Sequence, residues 1–192
     1  MDNVKNRILH VLWEAETPVK SHELAEKIGL STPASTMHLI WLVKAGYVST
    51  PKKSFYTVTE RGKKAIGLPE VDEQQAAAIL SSVPPDRGFR FYNALGEYTG
   101  VYACSLGDFA EKLATVNLRS LEFHVSRGDF EAWLRSLGDA ELARKMSLIQ
   151  NSGLAGEDLR RKVRELVQRR CEELESMSRG AREAYIVFRE SV

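Results

Sequence analysis

Residues 18–66 read PVKSHELAEKIGLSTPASTMHLIWLVKAGYVSTPKKSFYTVTERGKKAI. Ser21 is a good N-cap residue, and Leu24, Ala25 and Ile28 follow at helical spacing. Gly29 tolerates the left-handed conformation that ends such a helix. Ser31 or Thr32 then caps a further helix, with Pro33 in its first turn, where a missing N–H costs nothing. That helix runs to Ala45 and stops at Gly46. Two β-rich runs, YVST and FYTVT, flank Pro51-Lys52-Lys53-Ser54 and predict a hairpin with a basic tip. Working outward, Val4, Ile8, Leu9, Val11, Leu12 and Ala15 predict an amphipathic helix over residues 3–15, stopped at Thr17-Pro18.

This order of helices, turn and ribbon is that of a winged helix-turn-helix. The residues that carry it are His22-Glu23-Leu24-Ala25 with Ile28-Gly29-Leu30-Ser31, then Leu39, Leu42 and Ala45-Gly46-Tyr47-Val48, then Tyr56-Thr57-Val58-Thr59-Glu60-Arg61-Gly62. On these residues the first third of the chain resembles winged-helix transcription regulators of the MarR, PadR and ArsR kind. The resemblance implies a DNA-binding regulator acting on double-stranded DNA as a homodimer. In this fold the third helix lies in the major groove and the wing meets the backbone or minor groove.

The helix over residues 32–45 has two faces. Leu39, Leu42 and Ala45 point inward, leaving Pro33, Thr36, Met37, Ile40, Trp41 and Lys44 opposite. Base edges are usually read by Arg, Asn, Gln, Lys or Ser, so Met37, Ile40 and Trp41 are unusual there. Two readings stand. In one, Thr36, His38, Lys44, Lys52 and Lys53 hold phosphates while Met37, Ile40 and Trp41 touch thymine methyls. In the other, the apolar stripe packs on a protein partner, as exposed apolar patches do.

Charge supports the first reading modestly. The whole chain of 192 residues carries a formal net charge of only +1, but residues 2–68 hold ten bases against six acids. Cys104 and Cys171 lie far apart without neighbours at metal-ligand spacing, which fits a reducing cytoplasm. The charged start MDNVKNRILHVLWEAE is not a signal peptide, and no apolar run suggests a membrane span. We expect no cofactor and no metal.

Pro69 and Pro84-Pro85-Asp86-Arg87-Gly88 bracket a junction at 69–88 with a short connector helix, dividing the chain into 1–68, 69–88 and 89–192. The fold class expected is mainly α: a winged helix followed by a helical bundle. In 89–192, FRFYNALGEYTGVYA is ambiguous between loop and strand. Helices are predicted from Ser105 to Val116, Leu118 to Val125, Asp129 onward, Asp139 onward and Asp158 to Met177, with the tail AREAYIVFRESV as one more helix or a strand.

The densest pattern is Ser120-Leu121-Glu122-Phe123-His124, then Arg127-Gly128-Asp129-Phe130 and Trp133-Leu134. With Tyr98-Thr99-Gly100 upstream and Leu137-Gly138-Asp139 downstream, it resembles a helical domain family of unknown function. That family occurs in archaeal and bacterial proteins, beside winged helices or sugar-metabolising enzymes. The resemblance implies a fold and no activity. His124, Arg127 and Asp129 could converge at a corner to bind an anion or a sugar hydroxyl. The simpler reading makes Gly128-Asp129 a turn and cap, with His124 bonded across the corner. There is no phosphate-binding glycine loop, HExxH or nucleophile elbow, so an enzyme is not expected. The helical domain is then a sensing, dimerisation or partner-binding element; the alternative is a small-molecule-binding or catalytic helical domain with an appended winged helix.

Overall fold

The computed structural model describes residues 2–190, with side chains described to Ser178. The chain divides into two units at Glu70/Val71. The first contains α1 (Asn3–Ala15), β1 (Val19–Lys20), α2 (Ser21–Ile28), α3 (Thr32–Lys44), β2 (Val48–Lys52), β3 (Phe55–Val58) and α4 (Glu60–Ala65). Its core forms where the helical apolar positions meet: Ile8, Leu9 and Leu12 of α1, Leu24 of α2, and Leu39 and Leu42 of α3. The stops fall where the residue types put them. Gly29 has φ +67° and donates its N–H to the Ala25 and Glu26 carbonyls, and Ser31 accepts from the Ala34 N–H.

Three details depart from the sequence reading. The wing is a three-stranded antiparallel sheet in the order β1-β3-β2, because Val19 and Lys20 pair with Tyr56 and Phe55. That pairing carries extended chain right up to α2. Lys20 therefore occupies the cap position, and Ser21 donates its N–H to the Ser54 carbonyl instead of capping with its hydroxyl. Strand β2 also runs through Pro51 to Lys52, with a register irregularity between Ser49 and Lys52. Proline has no N–H for the ladder, and an irregular edge strand is where it is tolerated. The turn itself is then Lys53-Ser54, with Ser54 at φ +65°.

Gly62 shows why the TERG stretch ends in glycine. Thr59 caps α4 through the Gly62 N–H and also bonds the Gly46 carbonyl at 2.7 Å, drawing α4 against the end of α3. A Cβ on Gly62 would collide with the Tyr47 carbonyl oxygen and lie 2.7 Å from the Val58 methyl. Alanine would gain about 1 kcal/mol of helix propensity. The clash is with backbone held by the Thr59 N–H at 3.0 Å, so it cannot relax cheaply. Gly62→Ala is expected to destabilise the first unit by a net of about 1–3 kcal/mol. Chemical denaturation of the full chain reads it, and unchanged stability would disprove the packing argument.

The second unit holds α5 (Glu73–Leu80), β4 (Phe89–Tyr92), β5 (Tyr98–Ala103), α6 (Leu106–Thr115), α7 (Leu118–Arg127), α8 (Asp129–Ser136), α9 (Ala140–Gln150) and α10 (Gly156–Glu190). The stretch read as a connector contributes a core helix, since Ala76 and Ile79 of α5 are buried with the rest of this unit. The ambiguous aromatic stretch is an antiparallel hairpin, β4 with β5. Its inward residues Phe89 and Phe91 meet each other edge-on at 4.9 Å. Phe89 packs edge-on or tilted against Phe109, Phe130 and Trp133, and Phe91 stacks on Phe109 and meets Phe130 edge-on, with ring centroids 5.1–6.4 Å apart. Aromatic pairs at this spacing add to area burial. Tail residues 181–190 continue α10, and residues 191–192 lie outside the described residues. Burial pushes the Cys171 thiol up to about 11, so it stays protonated at neutral pH. No helix among the described residues is long and apolar enough to cross a membrane.

Candidate functional site

In the first unit, the two faces of α3 separate as their spacing dictates. Leu39 and Leu42 are fully buried, whereas Met37, Ile40 and Trp41 are 71%, 47% and 46% exposed. Lys44, Lys52 and Lys53 are exposed, while Thr36 and His38 are half-buried. The Thr36 hydroxyl donates to the Thr32 carbonyl at 2.8 Å, so in this state it serves its own helix.

Trp41 is less bare than its exposure suggests. The Lys5 ammonium of α1 lies 4.3 Å from its ring, and Tyr47 stacks on it at 6.1 Å. The Arg61 guanidinium of α4 sits 4.9 Å from the Tyr47 ring. A ladder of two rings flanked by two cations therefore closes the C-terminal end of α3. Cation–π contacts at such exposed sites contribute about 0.5–1 kcal/mol each. Lys5, Tyr47 and Arg61 were not singled out in the sequence as surface partners of α3, because only the fold brings them to Trp41.

In the second unit, the α7–α8 corner brings His124, Arg127 and Asp129 together. Gly128 at φ +73° ends α7 and opens α8 without a gap. Asp129 is thus the first residue of α8, and no side chain caps that helix. Its carboxylate turns back instead, one oxygen accepting from His124 Nδ1 at 2.7 Å and Arg127 Nε at 3.1 Å. His124, 3% exposed, accepts the Tyr92 N–H at Nε2, 2.8 Å. Both ring nitrogens are occupied, with the proton on Nδ1. Burial lowers the His124 pKa and outweighs the opposing pull of Asp129, so the ring is neutral at neutral pH.

His124 itself therefore has no bond to spare for a ligand. It orients Asp129, which orients Arg127. The Arg127 guanidinium lies over the Phe123 ring at 5.1 Å, and its terminal nitrogens make no hydrogen bond among the described residues. It faces a pocket of about 360 Å3 whose walls include Arg90, Tyr92, Leu95, Phe123 and Trp133. Arg90, Tyr92 and Leu95 come from the hairpin and its tip. They lie some thirty residues away in sequence, and no local motif ties them to His124. Among the described residues, no group of three or more His, Cys, Asp or Glu side chains could hold a metal ion.

These features define a winged-helix unit joined to a mainly helical unit with an aromatic hairpin core. Residues 70–168 match the family of unknown function DUF5752, and the chain belongs to that family. Residues 2–50 match the bacterial regulatory proteins of the arsR family, making the first unit an ArsR-type helix-turn-helix domain. The chain is also similar to Z-DNA-binding protein 1 of Rattus norvegicus, 30% identical over 107 residues. That similarity covers 51% of this chain and 26% of the rat protein, so the chain spans about a quarter of that relative's length. No solved structure matches.

Proposed function

We propose that this chain is a cytoplasmic DNA-binding transcription regulator. Its winged helix grips duplex DNA as a homodimer, and its second unit senses a ligand, dimerises or contacts a partner rather than catalysing a reaction. The observation that carries the reading is the open outer face of α3, bordered by cations from other elements. Met37, Ile40 and Lys44 are exposed on it, Arg61 reaches its C-terminal end through Tyr47, and the wing supplies Lys52 and Lys53, while Lys5, over Trp41, is already paired with Asp2 at 2.6 Å. Apolar groups on such a face can touch thymine methyls while the cations hold phosphates. The likeness to arsR-family regulators and to a protein named for binding Z-DNA supports the same reading.

Fluorescence anisotropy with a labelled duplex over a salt series tests it. Each phosphate neutralised steepens the logarithmic salt dependence by about 0.9. Replacing Lys52 and Lys53 with Gln is expected to make that slope shallower by about 2 per bound protomer. No binding at low salt, or binding indifferent to salt, would sink the proposal.

A second reading rests on the exposed i, i+3 pair Met37 and Ile40, which suits a protein contact. Met37→Ser with Ile40→Ser separates the two. Weaker duplex binding at unchanged particle mass supports DNA, and loss of an assembly at unchanged duplex binding supports the protein contact.

A further inference from the structure

The pocket beside the α7–α8 corner is not used by the DNA reading, and it has the makings of a ligand site. We infer that it binds a small organic oxyanion, a carboxylate or phosphate carried on a flat, largely apolar body. Its volume of about 360 Å3 falls within the range of small-molecule sites and suits a single ring with substituents.

The anion-binding end is Arg127. One side of its guanidinium is held by the Asp129 carboxylate at 3.1 Å and its flat face by Phe123, while the terminal nitrogens make no hydrogen bond among the described residues. A guanidinium fixed behind and open in front presents the fork that matches two oxygens of a carboxylate or phosphate. Because it is already oriented, little rotamer entropy is lost on binding.

Charge sets the sign of the ligand. Asp129 offsets Arg127, and His124 is neutral because burial lowers its pKa against the pull of Asp129, while its two nitrogens are already bonded inside the protein. Arg90, held among the described residues only by a 3.4 Å bond to the Pro85 carbonyl, leaves the lining one positive charge in excess. A neutral guest would leave that charge unanswered and a cation would be repelled.

The walls set the body of the ligand. Tyr92, Phe123 and Trp133 line the pocket, and Leu95 at the hairpin tip also borders it while 78% exposed. Flat aromatic walls favour a planar or apolar guest by stacking. An exposed Arg127–Asp129 pair kept only for stability would contribute at most about 1 kcal/mol. Stability alone is therefore a weak reason for Arg127 to be held over the pocket by Asp129.

The test uses the full chain without DNA, so it stands or falls apart from the regulator reading. Phenyl phosphate and benzoate are titrated by calorimetry and thermal shift, against the neutral analogues phenol and benzamide and against inorganic phosphate. The expected result is saturable, stabilising binding of at least one organic anion, about tenfold or more tighter than its neutral analogue and than inorganic phosphate. Arg127→Gln and Arg90→Gln should each weaken it by about tenfold. Which anion binds more tightly tells phosphate from carboxylate. Arg90 is exposed and makes a single weak bond, so its variant remains informative even if Arg127→Gln disturbs the corner. The inference is overturned by absence of saturable binding of both organic anions at about 10 mM. Equal binding of the neutral analogues, or affinity unchanged in Arg90→Gln and Arg127→Gln, overturns it as well.

Discussion

Arg170→Met will destabilise the second unit by about 3–5 kcal/mol, enough to lower its thermal midpoint by more than about 10 °C. Arg170 of α10 is 5% exposed and donates to Asp139 at 2.9 Å, to Glu141 at 3.0 Å and to Glu173 at 3.1 Å. Asp139 is fully buried and also caps α9 through the Leu142 N–H. Burial by itself would lower the Arg170 pKa, but the pull of Asp139 and Glu141 and the bonds to Asp139 and Glu173 raise it above the ordinary value. Such a cluster adds little net stability over an apolar one, yet removing only its cation strands carboxylates in the core. Differential scanning calorimetry of the full chain measures the loss. A triple variant, Arg170→Met with Asp139→Asn and Glu141→Met, should recover much of it. A single variant as stable as the parent would show that solvent reaches the cluster.

His124→Phe should cost the second unit about 2–4 kcal/mol at neutral pH. Phenylalanine keeps most of the volume but orphans the Tyr92 N–H and removes one of two donors to Asp129. The same histidine makes stability depend on pH. Its folded pKa lies below the ordinary 6.5, so the unfolded chain takes up the proton first as pH falls. This contribution is therefore fully present above pH 6.5 and is lost as pH drops toward the folded value. Thermal midpoints should be flat from about pH 7 to 8 and decline below about pH 6.5. His124→Phe should be less stable and lack the decline that sets in below about pH 6.5. A decline retained in that variant would assign it to other groups.

The winged helix was legible because its information is local. Caps such as Ser31, stops such as Gly29 and Gly46, and apolar spacing along α1 to α3 each lie within a few residues of what they control. The two-residue β1 was not, because two residues show no alternation and its existence depends on β3. Residues 69–88 looked like a linker because Pro69 and Pro84-Pro85 bracket them. Prolines mark where regular structure ends, not whether the helix between them is buried, and Ala76 and Ile79 prove to be core. Asp129 has the residue type and position of a cap. The nearby His124 and Arg127 instead supply charge-assisted bonds that draw its carboxylate away from the α8 N–H groups.

For residues 18–66 the chain by itself determined the order of helices and wing, and which face of α3 is apolar outside the core. Helical and strand periods are set by neighbours in sequence, so they need no fold to be read. Only the tertiary structure decided what surrounds those faces. It placed Lys5 and Arg61 beside the Trp41–Tyr47 ladder, and it closed Arg90, Tyr92 and Leu95 around Arg127. Charge and hydrogen-bond partners act through space over a few ångströms. Residues tens of positions apart become partners only once the chain has packed.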